Sequence, residues 1–504
     1  MTKMLEELAG TLGILMSWVL TVSGLFFALK LRFFYILHPI KTVKLMFRQQ
    51  KGGISPARAM SMALAGTLGV GNITGVTAAI AYGGAGAVFW MWAGAFFAMP
   101  VKYAETALAV LFRRREQRSK GGGYYGGAPY YLEGGLALPP RLSRMVASFF
   151  AVLCAVNSLT TGNILQINAA AAAVKDATGV PAIVIGILTA VLVSVVVAGG
   201  AVRISAMTAS IIPIVSGVYI LMCAAVMIAD YASVPAVFSL IFKSAFTPDA
   251  AIGGVTGLLI SRAVRYGMLR GTLTNEAGSG TSPTAHACAD AVSPMAQGCL
   301  GIFEVFVDTI VICTLTAVVV LLANPSGTVP INVNAMTSAS DSFALYFGGW
   351  TYAALAIIVF VFAYATLLSQ HYYGMSAMRY LGAGKRYRMA YTFVFIFCII
   401  AGSVTGPRLL WGLTDTVIGT MTILNTLAVL SMYKTVVQTI KYPAKLQNRN
   451  GKTAFIYSQV LKNQHKCGNT GKHITLNRPV GNVKILKGPY HLRGSDGSCS
   501  IDES

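Results

Sequence analysis

Gly66, Gly69, Gly71 and Gly75 fall within GTLGVGNITG, in an apolar run that also carries Asn72 and Thr74. The chemistry such residues can do is binding. A helix interrupted inside lipid frees backbone amides and carbonyls, which are tolerated only where they meet protein, water or a ligand. Small residues near four apart also let helices pack closely, the competing reading for any single pair. Asn72 and Thr74 tip the balance, because they would be costly in lipid without partners. Other apolar runs carry further polar groups. Gln166 and Asn168 are of the type that hydrogen bonds between membrane helices, and Thr366 taken alone reads as a hydroxyl bonded to its own helix. Lys102 and Glu105, three apart, share a helical face and can neutralise each other as a structural or gating pair. Asn275 and Glu276, with Arg270 nearby, are expected at the cytoplasmic end of a span, as part of a gate or as a helix-ending loop with a satisfied carboxylate.

Catalytic chemistry is not indicated. His286 and His371 are lone membrane histidines without metal-ligand spacing or a paired acid, and read as structural. The GGGYYGG loop lacks the Gly-Lys-Ser/Thr of a phosphate-binding loop, and GVGNITG fails the dinucleotide spacing. The eight cysteines are scattered and read as small hydrophobes. No cofactor is expected. An enzyme would need convergent acid, base or metal groups, and a channel would need rings of charge or repeated filter segments.

The elements that must position these residues are membrane helices. Of the 504 residues 55% are hydrophobic and 11% charged, which a chain with a wetted surface does not reach. Apolar runs such as 182–198, 211–229 and 352–368 approach the roughly 20 residues that cross a bilayer. Marking every run gives about eleven spans, near 12–37, 57–80, 85–112, 145–174, 181–200, 204–229, 251–270, 295–322, 349–378, 389–405 and 409–435. The first run continues past signal-peptide length and is expected to be a retained span.

The net charge of +22 does not point to nucleic acid, because the basic residues lie between apolar runs rather than in one stripe. Lys41, Lys44, Arg48 and Lys51 follow the first span, Arg113 to Arg115 with Arg118 and Lys120 the third, and Arg379, Lys385, Arg386 and Arg388 the ninth. The alternate connections are nearly free of Lys and Arg. The positive-inside rule then places the N-terminus outside and the C-terminus in the cytoplasm of a multi-pass cell-membrane protein. The glycine-rich 113–144 segment is expected to be a cytoplasmic loop with an interfacial helix.

Two spans are glycine-interrupted: the second, and the seventh, which opens with Gly253, Gly254 and Gly257. Setting aside the first span leaves ten, and these two are then the first members of two five-helix halves, which odd repeat length makes inverted. The expected fold is therefore an all-α membrane protein: an extra helix at 1–37, a first repeat at 55–230, a second at 250–437, with broken first and sixth core helices. A polar, basic tail at 447–504 carries no span and is expected to be cytoplasmic and dispensable.

At GTLGVGNITG the chain resembles the alanine or glycine:cation symporter family, sodium:amino-acid symporters of the leucine-transporter-like fold. VFWMWAGAFFAMPVKYAETALA, GGAPYYLEGGL, LQINAAAA, AVRYGMLRGTLTNEAGSGTSPTAHA and FAYATLLSQHYYG agree with it in order. The resemblance runs from about Gly10 to about Lys445. It implies that the unwound first core helix offers Ala65 and Leu68 to sodium, and Gly69, Gly71, Asn72 and Thr74 to an amino acid, with Gly254 and Gly257 doing the same in the second half. It also implies that Gln166 faces the substrate and that Thr366 is a sodium ligand; Lys102, Glu105, Arg270, Asn275 and Glu276 remain gating candidates on their own placement. The chain departs from the family at Val70, at Ala365 where a second hydroxyl is usual, at Ser369, Gln370 and His371 in place of Gly-Trp, and at Met375. The implied activity is sodium-coupled symport of a small neutral amino acid such as alanine or glycine by alternating access. The partners are that amino acid, sodium and the lipid bilayer; proton-coupled or uncoupled transport is the alternative.

Overall fold

A computed structural model describes residues 2–37, 53–115, 123–246, 262–291, 293–330 and 335–441. The expected Gly254 and Gly257 sites and the 447–504 tail lie outside the described residues. Among the described residues the chain is helical apart from a two-residue ribbon, in which Arg114–Arg115 pairs antiparallel with Tyr124–Tyr125. Its exterior is apolar: Leu221, Ile228, Phe393 and Phe397 are each about 70% exposed. Its interior holds Lys102, Glu105, Glu304, Asp308 and Gln370, all at 0%. That inversion of the usual distribution of polarity suits a protein whose surroundings are lipid.

Among the described residues six helices are long and apolar enough to cross a membrane: Gly10–Lys30, Pro140–Thr178, Gly200–Ala229, Pro294–Ala323, Trp350–Tyr380 and Lys385–Val404. Two bent pairs raise the number to eight if each pair is one span. The remaining expected spans meet helices of a different character. Ala182–Val197 has 16 residues, Gly86–Leu111 carries the buried Lys102 and Glu105, and Arg262–Asn275 carries three arginines and follows residues outside the described set.

The first bent pair contains the glycine cluster. Ser55 caps Pro56–Thr67 by accepting from the Arg58 amide, and Pro56 supplies the fixed φ of a first helical turn. The helix stops at Leu68, whose ψ of 89° leaves the helical region, and resumes as the π-helical turn Gly71–Gly75 and the α-helix Val76–Gly83, bent by 54°. Two more π-helical turns, Thr160–Ile164 and Phe306–Cys313, lie inside other spans. Such turns are uncommon and concentrate at functional sites.

In the second half the chain leaves the helix after Asn275 and re-enters it at Pro283–Ala287. Glu276, Gly278 and Gly280 have φ of 48°, 79° and 75°, a left-handed path that the two glycines take without penalty and Glu276 does not. Asn275 ends the helix and Glu276 opens the loop that follows, its carboxylate bonded by Thr281 and Gln370, which matches the helix-ending loop with a satisfied carboxylate expected from the sequence. Both are buried, at 0% and 5%, where the helix breaks. The glycine-rich 113–144 segment contains the helix Ala128–Gly135, which buries Tyr130, Tyr131 and Leu132 against the bundle, the Tyr131 hydroxyl donating to Asn425 Oδ1 at 2.5 Å.

Candidate functional site: two helix breaks joined by buried polar groups

The glycines of the first break serve different purposes. A Cβ on Gly66 would lie 2.7 Å from the Tyr373 hydroxyl, so this glycine lets Trp350–Tyr380 pack close. On Gly69 it would lie 2.7 Å from Gln166 Oε1 and 3.2 Å from Thr366 Oγ1. Gly71 and Gly75 face the methyl of Thr274 at 3.6 and 3.9 Å, which leaves room for a Cβ. Packing and site formation are thus both present in one run of ten residues.

The break's backbone is answered by side chains from far along the chain. The Gly69 amide, which in a continuing helix would close on Ala65, donates instead to Asn72 Oδ1 at 3.0 Å. Val70 donates its amide to Gln166 Oε1 at 3.2 Å, and Thr366 Oγ1 lies 3.0 Å from the Phe362 carbonyl of its own helix and 3.5 Å from the Leu68 carbonyl. Gln166, Leu68, Gly69 and Thr366 are therefore brought together, with Ala65 fully buried one turn earlier. Backbone carbonyls converging with one hydroxyl form an oxygen-rich niche, the donor set that suits a hard monovalent cation. The Thr74 hydroxyl donates to the Val70 carbonyl at 3.0 Å. Asn168 is interhelical, donating to the carbonyls of Gly402 and Thr405 at 3.0 and 2.6 Å.

A polar chain joins the two breaks through the π-helical turn Phe306–Cys313. Asn72 Nδ2 donates to Asp308 Oδ1 at 2.8 Å, and Thr309 Oγ1 donates to Asp308 Oδ2 at 2.9 Å. Asn275 Nδ2 in turn donates to Thr309 Oγ1 at 3.2 Å, while Asn275 Oδ1 accepts the Ala277 amide at 3.0 Å. Thr316 Oγ1 adds a bond to the Asn72 carbonyl at 2.9 Å.

The second break is held by charge. Glu105 accepts the amides of Gly278 and Gly280, one on each oxygen, at 3.3 and 3.2 Å, and Asn425 Nδ2 at 2.9 Å. Lys102 Nζ donates to Ser282 Oγ at 2.7 Å and lies 3.2 Å from Glu304 Oε1, but 3.7 Å from Glu105 Oε1. Glu276 accepts from Thr281 and, at 3.2 Å, from Gln370 Nε2. Arg270 lies within electrostatic reach of Asp415 on the helix Pro407–Ser431. His286 was expected to lack an acid partner, but its Nε2 lies 2.9 Å from Glu304 Oε2 and its Nδ1 2.7 Å from Gln297 Nε2. The acid comes from another helix, which spacing along the sequence does not disclose.

Glu304, Asp308, Thr309 and Asn425 went unnoticed at the level of sequence. The signal available was the pair of acids four apart in FEVFVDTIVIC, since an ionisable residue inside an apolar run is functional by default.

Comparison with known proteins follows the same lines. The profile of the sodium:alanine symporter family matches residues 1–456. Over 475 residues the chain is 32% identical to the "Probable sodium/glutamine symporter GlnT" of Bacillus subtilis (strain 168), covering 92% of this chain and 96% of that one. It is 33% identical to the "Sodium/alanine symporter AgcS" of Methanococcus maripaludis, covering 86% and 94%. With the "Amino-acid carrier protein AlsT" of B. subtilis it shares 32% identity, covering 82% and 85%.

Proposed function

The chain belongs to the sodium:alanine symporter family, and from that premise we propose that it is a secondary active transporter that carries a small neutral amino acid together with sodium by alternating access. The observation that carries this reading is the convergence at the first break. Thr366 Oγ1 lies 3.5 Å from the Leu68 carbonyl, and Gln166 Oε1 takes the Val70 amide, so groups more than ninety residues away meet a backbone that has left the helix. Sodium sits between Ala65, Leu68 and Thr366. The amino acid lies beside Gly69, Gly71 and Gln166, in the space bounded by Thr274.

Glu105, Lys102 and Glu276 hold the second break and release it in the gating step. Each five-helix half, 55–230 and 250–437, contributes one break. The N-terminal helix stands outside this core, with about eleven spans in all. The N-terminus faces outward and the C-terminus the cytoplasm, as the loop charges favour.

The test is uptake into proteoliposomes holding the full-length purified chain. Labelled L-alanine or glycine is expected to accumulate under an inward sodium gradient and not under an equal potassium gradient. L-Glutamine as competitor separates a small pocket from one like that implied by the name of the glutamine relative. Accumulation driven by a proton gradient alone, indifferent to sodium, would overturn the coupling assignment.

A further inference from the structure

Four arginines near the ends of spans are already engaged. Arg113 donates to the Ala289 carbonyl and lies over the Tyr124 ring at 3.8 Å, Arg114 and Arg144 share Glu133, and Arg379 lies over the Tyr125 ring at 4.8 Å. Lys385, Arg386 and Arg388 are different. They fall together in the first turn of the helix Lys385–Val404, which has no acid there, and among the described residues none of them makes an ion pair or a ring contact. The 20 residues of this helix measure about 30 Å at 1.5 Å per residue, the depth of a bilayer's hydrocarbon core, so its first turn lies at the level of the lipid headgroups. Beyond the cations the helix surface turns apolar, with Met389 51% and Phe393 70% exposed.

Arg388 is half-buried, whereas Lys385 and Arg386 are exposed. It stands three and four residues before Tyr391 and Thr392, on the helix face that meets the neighbouring spans. The Tyr391 hydroxyl donates to the Ala155 carbonyl of Pro140–Leu159 at 3.0 Å, and Thr392 Oγ1 lies 3.7 Å from Met375 Sδ and 3.1 Å from His371 Nε2 on Trp350–Tyr380. Met375 carries no charge, and the side of Pro140–Leu159 before Ala155 is apolar and open, with Phe149 and Val152 at 54% and 47% exposure. The spans holding Ala155 and Tyr391 run in the same direction, since Asn163 next meets Phe395 and Asn168 meets Gly402, so both begin on one side of the bilayer. Side chains on a helix tilt toward its N-terminus, which aims the Arg388 guanidinium back toward that headgroup level.

We propose that the seam between Pro140–Leu159, Trp350–Tyr380 and Lys385–Val404 binds an anionic phospholipid, its phosphate held by Arg388 and Lys385 and its chains lying along Met389, Phe393, Phe149 and Val152. The planar guanidinium offers two parallel donors to a phosphate, and the lysine adds a point charge one turn away. A cation half-buried at the edge of the hydrocarbon is stabilised by an anion fixed beside it, and anionic headgroups are the anions concentrated at that depth. The open apolar faces beside the cations decide for a lipid over a free phosphate, because they give acyl chains a surface that a soluble anion does not use. The site does not depend on the symporter reading. It touches the transport core indirectly, through Thr392 and His371, on the span that carries Thr366.

The test is thermal unfolding of the full-length purified chain in a neutral detergent, titrated with phosphatidylglycerol, with phosphatidylcholine and with inorganic phosphate. Phosphatidylglycerol is expected to raise the unfolding temperature saturably, and the other two are not. Combining Lys385→Gln with Arg388→Gln should raise the half-saturating phosphatidylglycerol at least fivefold. Lys175→Gln, which removes an exposed cation from the last turn of Leu165–Thr178 at the far end of the span that holds Ala155, should leave that titration unchanged. A wild-type chain indifferent to phosphatidylglycerol, or a double variant that keeps the wild-type titration, overturns the site. An equal loss in Lys175→Gln overturns it too, by showing that any surface cation serves. Equal stabilisation by phosphatidylcholine would remove the role of charge, and equal stabilisation by inorganic phosphate would remove the role of the chains; either result overturns the lipid assignment. Should the double variant not be recovered folded, Arg388→Lys keeps the charge and loses the two-pronged geometry. A several-fold weaker phosphatidylglycerol titration in that variant supports the site, and an unchanged one overturns it.

Discussion

Lys102 Nζ lies 3.2 Å from Glu304 Oε1 and 3.7 Å from Glu105 Oε1, so the nearer carboxylate belongs to a different helix and not to the residue three positions on. All three side chains are fully buried. Removing one member of a buried pair leaves an uncompensated charge, which costs about 3–5 kcal/mol, whereas replacing both is close to neutral. Glu304→Gln is expected to lower the unfolding temperature in detergent sharply. Lys102→Met combined with Glu304→Met should recover most of it. Equal stability of Glu304→Gln and the wild type would mean that the lysine is held by Glu105 and Ser282 alone.

Gly69 and Gly71 should respond differently to the same methyl group. On Gly69 it would lie 2.7 Å from Gln166 Oε1, against side chains fixed by their own hydrogen bonds, and overpacking of this kind costs about 1–3 kcal/mol. On Gly71 the nearest atom is 3.6 Å away, an ordinary contact. Gly69→Ala is expected to reduce both stability and uptake, and Gly71→Ala to leave stability intact. Gly71→Leu should abolish uptake while protein level falls much less. Normal affinity in a well-expressed Gly71→Leu protein would assign these glycines to packing only.

Thr366 is the side-chain hydroxyl facing the Leu68 carbonyl, with Ala365 beside it. Thr366→Ala should raise the sodium concentration that half-activates uptake by about tenfold, equivalent to about 1.4 kcal/mol. Thr366→Ser should restore it, and Ala365→Ser should tighten it by supplying a second hydroxyl. Sodium dependence indifferent to all three substitutions would move the ion elsewhere.

Glu105 occupies the amides of Gly278 and Gly280 with its own carboxylate. Glu105→Gln keeps the shape but gives each amide a weaker acceptor, and one oxygen becomes a donor that those amides cannot use. Uptake is expected to fall while equilibrium L-alanine binding is retained, since the variant disturbs the second break and not the first. A parallel loss of binding would place Glu105 in the substrate site.

The first break was legible because its signal is local: glycines and an asparagine within ten apolar residues have few other uses. Its partners Gln166 and Thr366 came from family resemblance, and neither could have been found by spacing, which carries no information across the distances that separate them from Val70 and Leu68. The glycines Gly253 to Gly257 lie outside the described residues, whereas the break at NEAGSG, whose turn depends on Gly278, Gly280 and a strained Glu276, carries a weaker signal in the sequence. Glu304 and Asp308 were visible as letters. Their meaning lay in Lys102, His286 and Asn72, which only folding brings beside them.

The π-helical turns set the phase of the helices that contain them. A π turn is an α-helix carrying an extra residue, and one residue corresponds to about 100° of rotation about the axis. The stretches before and after Phe306–Cys313 are therefore out of step, which lets Glu304 address Lys102 and His286 while Thr316 reaches the Asn72 carbonyl. Deleting a single residue there would let the span close into an ordinary helix and turn one part against the other by that angle. Glu304 and Thr316 could not then both keep their partners. One residue of length, rather than any side chain, keeps the charged and neutral faces of this span aimed at different neighbours.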